Sequence, residues 1–179
     1  MKALILSPHP DDLEYNMGGT AILLKEKGWQ LDQIIFSTCI ELHGPRFLNG
    51  AHLAVNHLNI HTTFLNYTNQ KFMHYRSAIR EEIYRLKGNG YNVVFVPCRQ
   101  DWHQDHQVVT EEAIRVFHKS TTILGYIKRE IYERHHDLRV DLTPIQAQER
   151  VEILTLFGEV NVDPINPEWF EVIQLRNYF

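Results

Sequence analysis

Short apolar runs of strand length alternate along this chain with longer stretches in which apolar and charged positions recur at helical spacing. The runs are KALILS (2–7), QIIFST (33–38), TTFLNY (62–67), NVVFVPC (92–98) and TILGYI (122–127), followed by LRVDL (138–142) and FEVIQL (170–175). Between the first five lie GGTAILLKEKG, PRFLNGAHLAVNHL, YRSAIREEIYRLKG and DHQVVTEEAIRVFHK. In the third of these, Ile79, Ile83 and Leu86 fall on one face among charges, as a helix packed against a sheet requires. Strands separated by such helices pair in parallel and wind right-handedly. The pattern therefore predicts an α/β fold, a Rossmann-like, doubly wound, mostly parallel sheet with helices on both faces. The stretches 132–146 and 160–169 are less regular and read as a cap or an edge hairpin.

The length of 179 residues suits one domain spanning 1–179, large enough to bury a core without disulfides. A formal net charge of −4 argues against nucleic acid or an anionic membrane as partner. Cys39 and Cys98 lie far apart with no C-x-x-C spacing, so a reducing cytoplasm is the expected setting. The opening apolar run is too short for a signal peptide, and no later run reaches the length of a membrane span.

Open α/β sheets place their sites beyond the carboxyl ends of the strands, and two polar clusters fall there. The first, PHPDDLE (8–14), follows the first strand; Pro8 and Pro10 stiffen the turn around His9, and His9 and Asp12 can face one point. The second, DWHQDH (101–106), follows the fourth strand, and a helix starting there aims His106 back into the crevice. Two histidines and a carboxylate with an open position form a catalytic rather than a structural metal shell. Taken singly, either cluster could be only a turn and a helix cap.

PHPDDLE with GGT (18–20), HQDH (103–106) and the late EWFEVIQL (168–175) resembles the PIG-L/LmbE-like family of zinc-dependent N-deacetylases. The resemblance implies that His9, Asp12 and His106 bind Zn2+, with another divalent metal such as Fe2+ as the alternative. It further implies that Asp11 is the general base and that His103 stabilises the oxyanion, supported by Asp105. The implied reaction removes an acetyl group from an N-acetylated amino sugar or a related small molecule. The alternatives are an amidase acting on another amide conjugate and a non-catalytic sugar- or nucleotide-binding module, although the first turn lacks a G-x-G-x-x-G fingerprint.

Glu14 is expected to support the loop or touch substrate. Gly18 and Gly19 either admit substrate close to the backbone or simply begin a helix. Arg46 occupies the place of a pocket-edge arginine in the family, but Asn49 stands where a glutamate often follows. His43 and Arg99 are further rim candidates, and His135 and His136 are candidate substrate contacts. Asp101 is expected to support a ligating histidine, Trp102 to pack rather than bind sugar, and the remaining histidines to be surface or packing residues. The chain is short for the family, which suggests a homo-oligomer in which a neighbour completes the pocket.

Overall fold

A computed structural model of the protein describes residues 1–128, 136–158 and 167–176. Its strands are β1 (Lys2–Ser7), β2 (Gln30–Ile35), β3 (His61–Phe64), β4 (Val93–Pro97), β5 (Thr122–Tyr126), β6 (Leu138–Val140) and β7 (Glu168–Gln174). They form one seven-stranded sheet in the order β3-β2-β1-β4-β5-β7-β6. The strands β1 to β5 are mutually parallel, while β7 runs antiparallel to both β5 and β6. The expected α/β architecture is therefore present, and the C-terminal strands extend the sheet as an antiparallel edge.

The helices are α1 (Asp12–Glu26), α2 (Ile40–His57), α3 (Arg76–Arg85), α4 (Gln104–Phe117) and α5 (Pro144–Thr155). Strand periodicity sends Ala3 and Ile5 of β1 to one face, where Leu13, Met17 and Ala21 of α1, Ala54 of α2 and Ile153 of α5 meet them. Leu4 and Leu6 point the other way, onto Ile79 and Ile83 of α3 and Val109 and Ala113 of α4. Both faces are covered, which explains why the central strands β1 and β4 are nearly continuous apolar runs.

Two helices are broken where the sequence predicts only loops. Helix α1 is interrupted at Met17 (φ −149°, ψ 22°) and α2 at Gly44, whose φ of +69° suits glycine. A buried pair occupies the break in α1. Glu168 of β7 accepts the Gly19 and Thr20 N–H groups at 2.8 and 2.7 Å, and Arg150 of α5 donates to the Tyr15 carbonyl. Arg150 Nε and Glu168 Oε1 are 3.1 Å apart. Three backbone groups beside the break, the Gly19 and Thr20 N–H and the Tyr15 carbonyl, are thus satisfied by this pair.

Gly18 and Gly19, read from the sequence as admitting substrate or beginning a helix, are both buried inside α1. A Cβ on Gly19 would come within 2.2 Å of Leu142 Cδ1, and one on Gly18 within 3.3 Å of Arg150 Cγ. Both glycines are there to let α5 and the segment before it approach α1.

Candidate metal centre

Strand order reverses between β1, which continues outward through β2, and β4, which continues through β5. The loops leaving β1 and β4 therefore part at this point and open a crevice. Each carries one of the two polar clusters. His9 leaves β1 just before α1, and its backbone N–H donates to Asp12 Oδ2 at 2.8 Å, which folds the motif back on itself. His103 caps α4, and His106 lies in the first turn of that helix, fully buried.

Three donor groups converge between the loops. His9 Nδ1 is 3.2 Å from His106 Nε2 and 3.6 Å from Asp12 Oδ2, and His106 Nε2 is 3.2 Å from Asp12 Oδ1. Donors about 2.0–2.1 Å from a tetrahedral metal lie about 3.3 Å apart, so these residues are spaced as three corners of such a shell. His103 joins His9 and His106 in a cluster whose candidate ligand atoms all lie within 4.8 Å of one another. Asp12 is nearer to both histidines than that limit requires.

Outer carboxylates direct the ring nitrogens. His9 Nε2 is 3.2 Å from Asp105 Oδ2, and His106 Nδ1 is 2.7 Å from Asp101 Oδ2. With its proton held outward by a carboxylate, each neutral ring turns a lone pair inward, as metal-binding histidines do. Asp105 is itself fixed by the Gln70 and Phe72 N–H groups at 2.6 and 3.2 Å, and Asp101 by the His103 N–H at 2.9 Å.

Electrostatics favour a cation here. Burial disfavours a charged His9, yet the hydrogen bond to Asp105 and the negative charges of Asp12, Asp11 and Asp105 hold its pKa above the ordinary value. Burial pushes the half-buried Asp11 carboxyl up, Asp12 adds to this, and His9 and Lys128 act in the opposite direction. Burial, with His106 and His9 beside it, lowers His103 to about 4, which leaves that ring neutral near pH 7. His103 Nδ1 accepts the Asp105 N–H at 3.2 Å, so its proton sits on Nε2. The donor set and its field therefore fit a divalent metal held by His9, Asp12 and His106.

The other sequence-derived residues divide. Asp101 supports His106, as expected of it. The Asp105 carboxylate lies on His9 rather than supporting His103, which it meets only through its backbone N–H. Glu14 is fully buried with neither carboxylate oxygen hydrogen-bonded among the described residues, so burial and the charges of Asp11 and Asp12 raise its pKa well above the usual range. It lies in the packed interior.

Arg46 is exposed, with its guanidinium over Gly158, and no described contact joins it to the cluster. Arg99 is paired with Glu171 at 2.6 Å, and the His43 ring rests on Phe47. His136 packs on Trp169, while His135 lies outside the described residues. His52 rests on Phe64, and His57 pairs with Glu149.

Trp102 is 74% exposed, which corrects the expectation that it packs. Sequence reasoning missed Lys128, whose Nζ lies 3.8 Å from Asp101 Oδ2. Its position just beyond the end of β5, on the same rim as the two motifs, was the signal that could have found it. Among the described residues, no helix is long and apolar enough to cross a membrane.

Known structures share this architecture. N,N'-diacetylchitobiose deacetylase from Pyrococcus horikoshii, solved with its inhibitor MPG, aligns with a TM-score of 0.77 at 16% identity over 96% of this chain and 83% of its own. The zinc-inhibited form of teicoplanin deacetylase Orf2 aligns with a TM-score of 0.70 at 9% identity over 88% and 84%. GalB, the 4-carboxy-2-hydroxymuconate hydratase from Pseudomonas putida, aligns with a TM-score of 0.70 at 12% identity over 99% and 98%. At these identities the likeness is one of fold. No curated protein matches the chain by sequence. The profile of the family described as GlcNAc-PI de-N-acetylase, PIG-L, matches residues 4–117, a span that contains both motifs and the whole of the His9–His106 centre. The chain belongs to the PIG-L family of metal-dependent de-N-acetylases.

Proposed function

We propose that the protein hydrolyses the acetamide of an N-acetylated amino sugar or a closely related small molecule, with zinc held by His9, Asp12 and His106. The observation that carries this reading is the convergence of His9 Nδ1, His106 Nε2 and Asp12 at 3.2–3.6 Å, with both rings oriented by outer carboxylates. A metal so held supplies Lewis-acid polarisation and lowers the pKa of water towards neutrality.

Asp11, beside this centre with its pKa raised by burial, takes a proton from the attacking water. The water oxygen bonds to the acetyl carbon, and His103 Nε2–H donates to the developing oxyanion. Asp11 then returns its proton to the nitrogen as the C–N bond breaks, leaving acetate and a free amine. Asp101 and Asp105 hold the two ligating rings, and Lys128 lies near enough to Asp101 to hold part of its charge.

The test is acetate release from N-acetylglucosamine by zinc-loaded protein. Asp11→Asn is expected to lower kcat by at least about 100-fold, in line with loss of a general base, while metal content stays stoichiometric. Full activity in that variant, or protein that takes up no metal, would defeat the reading.

A second reading is water addition to a carbon–carbon double bond of a carboxylated substrate. It is supported by the near-complete mutual coverage with GalB and by Lys128, a cation beside the centre suited to a carboxylate. Loss of conjugated-alkene absorbance without acetate release would favour it.

We further propose that residues 1–179 act as one domain around the single sheet. The buried, unpaired Cys39 and Cys98 support a cytoplasmic setting. A homo-oligomer in which a neighbour walls the crevice is also proposed, and light scattering reads it directly.

A further inference from the structure

We propose that Trp102 is the platform on which the ring of the substrate stacks, so that it selects cyclic sugars over open-chain acetamides; this rests on the deacetylase reading above. Trp102 stands between Asp101, which holds His106 Nδ1 at 2.7 Å, and His103, whose ring lies 4.8 Å from that of His106. Its backbone is pinned on both sides. The Asp101 N–H donates to the Cys98 carbonyl at 3.1 Å, Asp101 Oδ1 accepts the His103 N–H at 2.9 Å, and His103 begins α4.

The side chain nevertheless makes no hydrogen bond or ring contact with any described residue and is 74% exposed. Leaving a large indole in water forgoes burial, and the chain carries this one on a rigid loop one residue from the reacting centre. Exposed tryptophans held this way favour ligands with an apolar face and a polar rim. A pyranose has that character, since its axial C–H groups present weakly positive hydrogens to the negative face of the indole. Gln104, two residues on, is also exposed and is hydrogen-bonded to the Gln70 carbonyl at 2.9 Å, a polar group suited to hydroxyls.

The experiment compares N-acetylglucosamine with N-acetylethanolamine, which carries the same acetamide and no ring, in the zinc-loaded protein. The ratio of kcat/KM for the sugar to that for the open-chain probe is expected to fall about 10- to 100-fold in Trp102→Ala and to recover to within a few-fold in Trp102→Tyr. Binding is read separately from turnover. Addition of N-acetylglucosamine is expected to change tryptophan emission in the parent and not in Trp102→Tyr, where Trp29 and Trp169 remain. An unchanged ratio in Trp102→Ala, or an emission change that persists in Trp102→Tyr, would overturn the proposal. Parent protein that releases no acetate from either probe but whose emission responds through Trp102 would retain the platform and sink the deacetylase reading instead.

Discussion

Asp101 links the two motifs' chemistry to the backbone that carries them. It accepts hydrogen bonds from His106 Nδ1 at 2.7 Å and from the N–H of His103 at 2.9 Å, and its pKa is lowered by the His106 contact and by Lys128 against the cost of burial. Replacing it with asparagine keeps the shape but removes the charge that makes His106 a strong donor. Asp101→Asn is expected to weaken metal affinity about 10- to 100-fold in a chelator competition titration, and an unchanged affinity would remove Asp101 from that role. The inner residues were legible because ligation needs particular side chains at short spacing: His9 with Asp12, and His103 with His106. Their outer partners were less so. Nothing in the order of residues shows that Asp105 crosses to His9, because that contact spans the gap between two loops brought together only by the sheet. Nor could spacing show that Trp102 stays in water, since an indole inside an apolar-flanked loop ordinarily packs.

The two broken helices explain where element boundaries went astray. The sequence pattern starts its first helix at Gly18 and its second at Pro45, and each begins just beyond a break, at Met17 and at Gly44. Helical periodicity is thus visible only in the second segment of each. The first turns, Asp12–Asn16 and Ile40–His43, obey the needs of the rim instead. Strand β2 ends three residues before its expected end because Phe36 and Ser37 leave the ladder while still donating to the Ser7 and Pro8 carbonyls at 3.0 Å. The break in α1 depends on charge more than on glycine. Glu168→Ala would leave Arg150 buried without its counter-charge and the Gly19 and Thr20 N–H groups unpaired, at a cost of about 3–5 kcal/mol. Glu168→Gln keeps one acceptor oxygen and is expected to cost less. Urea unfolding read by circular dichroism would show the order, and equal midpoints for Glu168→Ala and the parent would mean that the pair contributes nothing.

A sheet whose strand order reverses at its centre divides the molecule into two halves, and the candidate metal centre is where they meet. His9 and Asp12 come from the β1–α1 side and His106 from the β4–α4 side, 97 residues further along. A metal bound by all three ties the halves together across the crevice and binds the folded chain far better than the unfolded one. At a free metal concentration 100 times Kd, this linkage adds about 2.7 kcal/mol to folding. For a domain of this size each kcal/mol moves Tm by about 2–4 °C, so excess chelator is expected to lower Tm by about 5–10 °C. The direction follows from mutual exclusion as well. Without a metal, three nearby carboxylates outweigh burial and leave His9 inclined to take up a proton, and protonation competes with ligation; the stabilisation by metal should therefore weaken as pH falls through the raised His9 pKa. His106→Ala removes the ligand from the second half, and its Tm is expected to be the same with and without chelator. A parent protein whose Tm ignores chelator, or a His106→Ala variant that still responds like the parent, would show that no metal spans the two loops.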